Sequence, residues 1–441
     1  METTRPTRPT RPTALPRRTH RRRTLVVGLT ALALGATTAT TVAATDRAPA
    51  AAAKAQVLLD WNAVAVATVS GDAKRYAPEQ NVWLGFVSAA VYNAVVGIEG
   101  RYAPYQWDGR GPAGASAEAA AAAAAHRVLL TYFPKSRARL DAAYTKSLKN
   151  VPDGQAEQQG AAFGRRAADR LVQLRVQDGR GAAVAFTKSP APGVWRPTPP
   201  DNASFRVPWL AKVKPMVLDS AERFRPGAPP ATDTRRYARE LAEVRVLGAK
   251  NSKVRTARQT ETAKFFTDVL PVQLQAGYRD HVKRHGLDLV DAARLFAAAN
   301  TAVADATIAA WDAKYTHAQW RPVTAIRQAG TDGNLATASD PAWEPLLRTP
   351  AHPDHISGHT AADGAAMAVL HRLTGGNIDF RISSAVTGTT RTYTKAADFN
   401  RDVTGAGMWG GIQYRTSGEA GTRVGQAIGN YALDHHFRPV R

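Results

Sequence analysis

The sequence predicts an all-α fold, and three observations carry that prediction. Apolar residues recur at three- and four-residue spacing along most of the chain, and runs that alternate apolar with polar are few. Pro, Gly and capping residues cut the periodic stretches into pieces of helix length. Ala117 to Tyr132 is an Ala-rich helix closed by Pro134. Ser136 to Leu148 places Leu140, Ala143, Tyr144 and Leu148 on one face, and Gln155 to Val176 runs out at Asp178-Gly179. Between Lys188 and Pro230 ten prolines forbid any long helix. Helices are expected again at Thr234 to Leu247, Thr256 to Phe266, Gly286 to Lys314 and Ser357 to Leu373.

These pieces suggest one domain over residues 57–441: a helical layer at 57–187, a Pro-rich connector at 188–230 and a second helical layer at 231–441. The connector is read as internal because Trp195, Phe205, Trp209 and Phe224 serve no purpose in a flexible tether. Ahead of the domain lie a Thr-Arg-Pro repeat from Thr4 to Thr13 and a basic cluster ending at Arg21-Arg22-Arg23. An uncharged stretch from Thr24 to Thr45 follows, with small residues around Val42-Ala43-Ala44. Residues 1–45 therefore read as an export signal, with the adjacent arginines pointing to the twin-arginine route, and residues 46–56 as an Ala-rich joint. The expected destination is extracellular. The uncharged stretch is too rich in Ala, Thr and Gly for a stable membrane span.

The 441 residues carry a formal net charge of +22. Ten of the basic residues fall within residues 1–54, and the rest scatter over expected helix faces without a basic stripe interleaved with aromatics. This argues against a nucleic-acid partner and for a solvated basic surface, one that can still attract anionic substrates or envelope polymers; the expectation of a small anionic ligand as partner rests on the site residues. The absence of cysteine excludes disulfides, thiol catalysis and thiolate metal sites.

The chemistry concentrates in the last third. Lys314 ends one expected helix, and Arg321-Pro322 follows seven positions later, so an ammonium and a guanidinium can converge if the helix stops between them. Ser357-Gly358-His359 opens the apolar helix Thr360 to Ala366. Ser357 is a natural N-cap, Gly358 allows close backbone approach, and His359 at the positive helix end is a candidate acid–base group, with Asp363 four residues on able to orient it. Fixed cations, helix-start N–H groups and a titratable imidazole are what a tetrahedral oxyanion requires. A second reading takes His352, His355 and His359 as a metal cluster, although Pro353 interrupts the helix such spacing needs. His435 and His436 read as a solvated tail.

Together, Lys314 with Arg321-Pro322 and Ser357-Gly358-His359 resemble the superfamily that unites vanadium-dependent haloperoxidases with type 2 phosphatidic acid phosphatases (PAP2). The stretches around Arg225-Pro226, Glu243-Val244, Leu247-Gly248 and Arg255-Thr256 are similar to its secreted actinobacterial haloperoxidase branch. The resemblance implies two stacked four-helix bundles and a vanadate cofactor, or otherwise phosphate or none. Lys314, Arg321, Ser357 and Gly358 would hold the oxyanion, His359 would be catalytic, and hydrogen peroxide and halide would be the substrates. It also implies departures. Aligned on Trp409 to Arg415, an Arg of the family falls on Gly407. The His that ligates vanadium in the peroxidases, and is the nucleophile in the phosphatases, falls on Gln413. Arg401 or Arg415 are the cations near enough in sequence to replace the missing one. Three functions follow as alternatives: a vanadium haloperoxidase, a PAP2-type phosphomonoesterase, and a catalytically altered homologue binding a phosphate-like or organic ligand.

Overall fold

The computed structural model describes residues 47–440, with side chains from residue 55, so the expected export signal lies outside the described residues. The described residues form one compact unit. The helices are α1 (Arg47–Val66), α2 (Ala77–Glu99), α3 (Ala117–Tyr132), α4 (Arg137–Leu148), α5 (Gln155–Leu174), α6 (Arg235–Leu247) and α7 (Ala257–Phe265). After them come α8 (Leu270–His285), α9 (Leu289–His317), α10 (Pro322–Arg327), α11 (Gly358–Leu373), α12 (Ala396–Trp409) and α13 (Arg415–His435). The all-α, helical-bundle expectation holds.

Local chemistry sets the borders. Thr234 and Thr256 accept from backbone N–H groups three residues on, and Gln259 closes a capping box on Thr256. Asp288 caps α9, so that helix begins after Asp288 rather than at Gly286, which is left-handed and terminates α8. The chain is not purely helical. Antiparallel strands β1 (Phe380–Ser384) and β2 (Thr389–Tyr393) pair Phe380 with Tyr393 and Ser384 with Thr389.

Helices α2, α3 and α5 pack on one another, with α1 and α4 against α3. Helices α9, α11 and α13 form a second bundle flanked by α12, and α2 against α9 joins the two. Helix α2 is long and apolar enough to cross a membrane, and nearly all of it is buried within the protein. The 188–230 connector has no long helix and is tied down along its length. Trp195 N–H donates to Ala318 O, Arg206 N–H to Ala351 O, and the N–H groups of Met216, Val217 and Leu218 donate to the buried carboxylate of Asp305 on α9.

The seam between α11 and α13 positions the site. A Cβ on Gly421 would lie 2.2 Å from Thr360 Oγ1 and 2.5 Å from Ser357 O, and one on Gly425 would lie 2.0 Å from Ala361 O. The two helices therefore meet backbone against backbone.

Candidate functional site

Lys314, in the last turn of α9, is fully buried, and its Nζ donates to Pro353 O and Asp354 O, both at 2.7 Å. Arg321, the N-cap of α10, is also fully buried. Its Nε donates to His352 O at 2.8 Å, Nη1 to Ile412 O at 2.7 Å and, at 3.4 Å, to Asp354 Oδ1, and Nη2 to His352 Nδ1 at 2.8 Å. The two cations do converge, but on protein acceptors. Burial, and then their mutual repulsion, holds the Lys314 ammonium well below the usual lysine range, and burial lowers Arg321 as well.

The anion between them is Asp354, which the sequence motifs do not single out. It accepts from Tyr414 N at 3.0 Å and from Ser417 Oγ at 3.1 Å in addition to Arg321. Burial raises its carboxyl while Arg321 and Lys314 oppose the rise. No short-range motif marks Asp354 as this hub. The only signal was an Asp at a residue that must be buried beside a Lys and an Arg.

Ser357 caps α11, accepting from Thr360 N at 3.2 Å, and donates its hydroxyl to Gln413 Oε1 at 3.0 Å. Gln413 reaches Ser357 through space that only glycine leaves. A Cβ on Gly407 would lie 2.3 Å from Gln413 Oε1 and 3.2 Å from its Cδ. The two departures from the family pattern are thus one interlocked exchange. Gly358 also has a packing reason to be glycine, because a Cβ there would meet the ring of Trp311 at 2.8 Å.

His359 Nε2 stands 3.4 Å from Asp363 Oδ2 without a hydrogen bond. Its ring keeps 30% exposure at the cavity wall, and the depth of the site pushes its pKa down to about 4, so the imidazole is neutral at neutral pH. Asp363 is fully enclosed, and burial raises its carboxyl well above the ordinary range.

Arg321, His352, Gly358, His359, Gly407 and Gln413 line one cavity of about 590 Å³, while Lys314 and Ser357 stand behind its wall. Apolar side chains of Phe266, Leu270, Leu347, Trp311, Val403 and Ile412 line the same cavity. Neither proposed replacement cation arrives: Arg415 pairs with Glu243 and Arg401 with Asp398 at the surface. Among the described residues no group of His, Asp or Glu could hold a metal ion, which removes the His352, His355 and His359 cluster. His355 faces Gly227 O at 3.1 Å instead. Of the C-terminal histidines, His435 is exposed at the end of α13, as expected, whereas His436 is partly buried with its Nε2 3.1 Å from Val217 O.

Residues 294–441 match the family model of the VCPO second helical-bundle domain. Over those residues, about a third of the chain, the site-bearing bundle is similar to that domain. The VCPO-type bundle sits within a larger likeness. A bacterial vanadium-dependent iodoperoxidase structure superposes with a TM-score of 0.74 at 23% identity, covering 88% of this chain and 98% of that one. The holo form of a bacterial vanadium-dependent chloroperoxidase follows with a TM-score of 0.65 at 19% identity, covering 81% and 92%. Its apo form scores 0.63 at 19% identity, covering 80% and 92%. These structures share the fold, and with the matched bundle they bear out the superfamily resemblance read from the motifs. No curated protein sequence matches the chain.

Proposed function

We propose that this chain is a haloperoxidase-fold protein whose cavity takes an uncharged organic ligand in place of an oxyanion. The observation that carries the reading is the Gln413 carboxamide lodged against Ser357 in the space left by Gly407. A serine hydroxyl has one hydrogen to donate, and here it is given to Gln413 Oε1, so it is not available to a bound anion. Lys314 and Arg321 direct their donors to carbonyls, to Asp354 and to His352. An amide neither ligates a metal oxyanion well nor serves as a nucleophile. The residues present therefore do not fit vanadate as a resident cofactor, and peroxide and halide lose their site with it. A phosphomonoesterase lacks its nucleophile for the same reason. A cavity whose lining is mainly apolar in area, with polar groups set into it, suits an organic molecule.

The vanadium haloperoxidase reading keeps one observation in its favour. Among the described hydrogen bonds none takes up the N–H groups of Gly358 and His359, which begin α11 beside the cavity. Calorimetric titration with vanadate and phosphate, paired with peroxide- and bromide-dependent dye oxidation, separates the readings. The unaltered chain is expected to show neither binding nor turnover, and Gly407→Arg with Gln413→His to gain vanadate binding. Bromide oxidation by the unaltered chain would overturn the proposal in favour of the haloperoxidase. Phosphate release from esters without peroxide would overturn it in favour of the phosphatase. Secretion through the residue 1–45 signal is part of the same proposal, tested by the N-terminus of the protein recovered from culture medium.

A further inference from the structure

One polar group of the cavity has no role in the reading above. His352 lies at the cavity wall, buried to 7% exposure, with its ring 4.9 Å from that of Trp311. Its Nδ1 is 2.8 Å from Arg321 Nη2 and 3.2 Å from Pro353 O. These two contacts make opposite demands. A guanidinium only donates, so its N–H requires the lone pair of Nδ1, whereas Pro353 O would require a proton there. The shorter, charge-assisted contact decides between them. With the Nδ1 lone pair engaged, a neutral ring carries its proton on Nε2. That nitrogen has no protein partner and is not among the enclosed unpartnered atoms, so it opens on the cavity.

We propose that Arg321 is a positioning residue that locks His352 as the Nε2–H tautomer, presenting a neutral donor to a carbonyl or similar uncharged acceptor on the organic ligand. In this arrangement the arginine acts on the ligand through the imidazole and not as an anion clamp. Burial first, and then the closeness of Lys314 and Arg321, disfavours a second proton on the ring, so it stays a single, uncharged donor. The fixed tautomer makes the site selective, because it rewards an acceptor and offers nothing to a donor in the same place.

The ligand class rests on the organic-ligand reading, whereas the tautomer does not, and the experiment separates them. The nitrogen chemical shifts of ¹⁵N-histidine-labelled full chain, assigned with His352→Phe, report the tautomer directly. The Nε2–H pattern is expected, and an Nδ1–H or doubly protonated ring overturns the proposal. Binding is then read with two uncharged probes, the naphthyl ketone dye prodan and dimethylaminonaphthalene, which lacks the ketone. His352→Phe is expected to weaken prodan about five- to tenfold, the usual worth of one neutral hydrogen bond, and to leave the ketone-free probe unchanged. Equal weakening of both overturns the donor role. Failure of the unaltered chain to bind either probe overturns the organic-ligand reading, and the nitrogen spectrum still decides the tautomer.

Discussion

Gly407→Ala perturbs the interlock at its tightest point. The new methyl would sit 2.3 Å from Gln413 Oε1, so the carboxamide must swing toward the cavity and release the Ser357 hydroxyl. Three terms set the magnitude. Alanine replaces glycine inside α12, which favours the helix by about 1 kcal/mol. Losing a buried neutral hydrogen bond costs about 1 kcal/mol, and the residual crowding costs about another. The single variant should therefore be destabilised by about 1 kcal/mol. In a Gln413→Ala background the second and third terms vanish, and the same substitution should stabilise by about 1 kcal/mol. Urea unfolding of the four proteins of the cycle measures the difference, a coupling of about 2 kcal/mol. Additivity within about 0.5 kcal/mol would refute the interlock and the cradle-filling role assigned to Gln413.

Other consequences are testable on the same footing. Asp354→Ala leaves Lys314 and Arg321 buried without their anion and should cost about 3–5 kcal/mol by chemical denaturation; a loss under about 1 kcal/mol would show that the hub is not what holds them. His355 is held down to about pKa 3 by burial. The unfolded chain therefore binds more protons than the folded one between about pH 6.5 and 3, and stability falls as pH drops through that window by up to about 1.4 kcal/mol per unit. His355→Gln should flatten that slope, and an unchanged slope would contradict the assignment. Asp363 runs the other way: its raised carboxyl favours the folded state below the folded pKa, so Asp363→Asn should reduce the loss seen as pH rises from about 4. Ser357→Ala removes both the α11 cap and the bond to Gln413 and should lower the melting temperature, for a cost of about 1–2 kcal/mol.

Where the chain announces its own breaks, the sequence is easy to read. Pro134 acts by its missing N–H, and Thr256 with Gln259 and Ser357 act through bonds within one turn of the helix, so their positions alone mark the borders. Helix α2 is buried on almost every side and so lacks the polar stripe that makes a helix conspicuous. The β1–β2 hairpin escaped notice because five-residue strands give too short an alternation to stand out. At the site, the residue types of Lys314, Arg321, Ser357 and His359 were legible as a set. Their partners were not, since Asp354 and His352 act through contacts spanning 31 to 63 residues. The link between Gly407 and Gln413 needed the third dimension, although a missing Cβ beside a lengthened amide is the kind of paired change that hints at contact.

The glycine seam between α11 and α13 gives the site an unusual division of labour. Ser357 O and Ala361 O meet the glycines of α13 directly, and Thr360 Oγ1 donates across the seam to Gly418 O, so the frame behind the cavity does not depend on the side chains at positions 352, 407 and 413. Changes at positions 352, 407 or 413 can then alter what the cavity recognises while the floor beneath them stays where it is. The fold behaves as a socket with interchangeable pins, in which a new chemistry is reached by exchanging two or three side chains and without a new arrangement of helices.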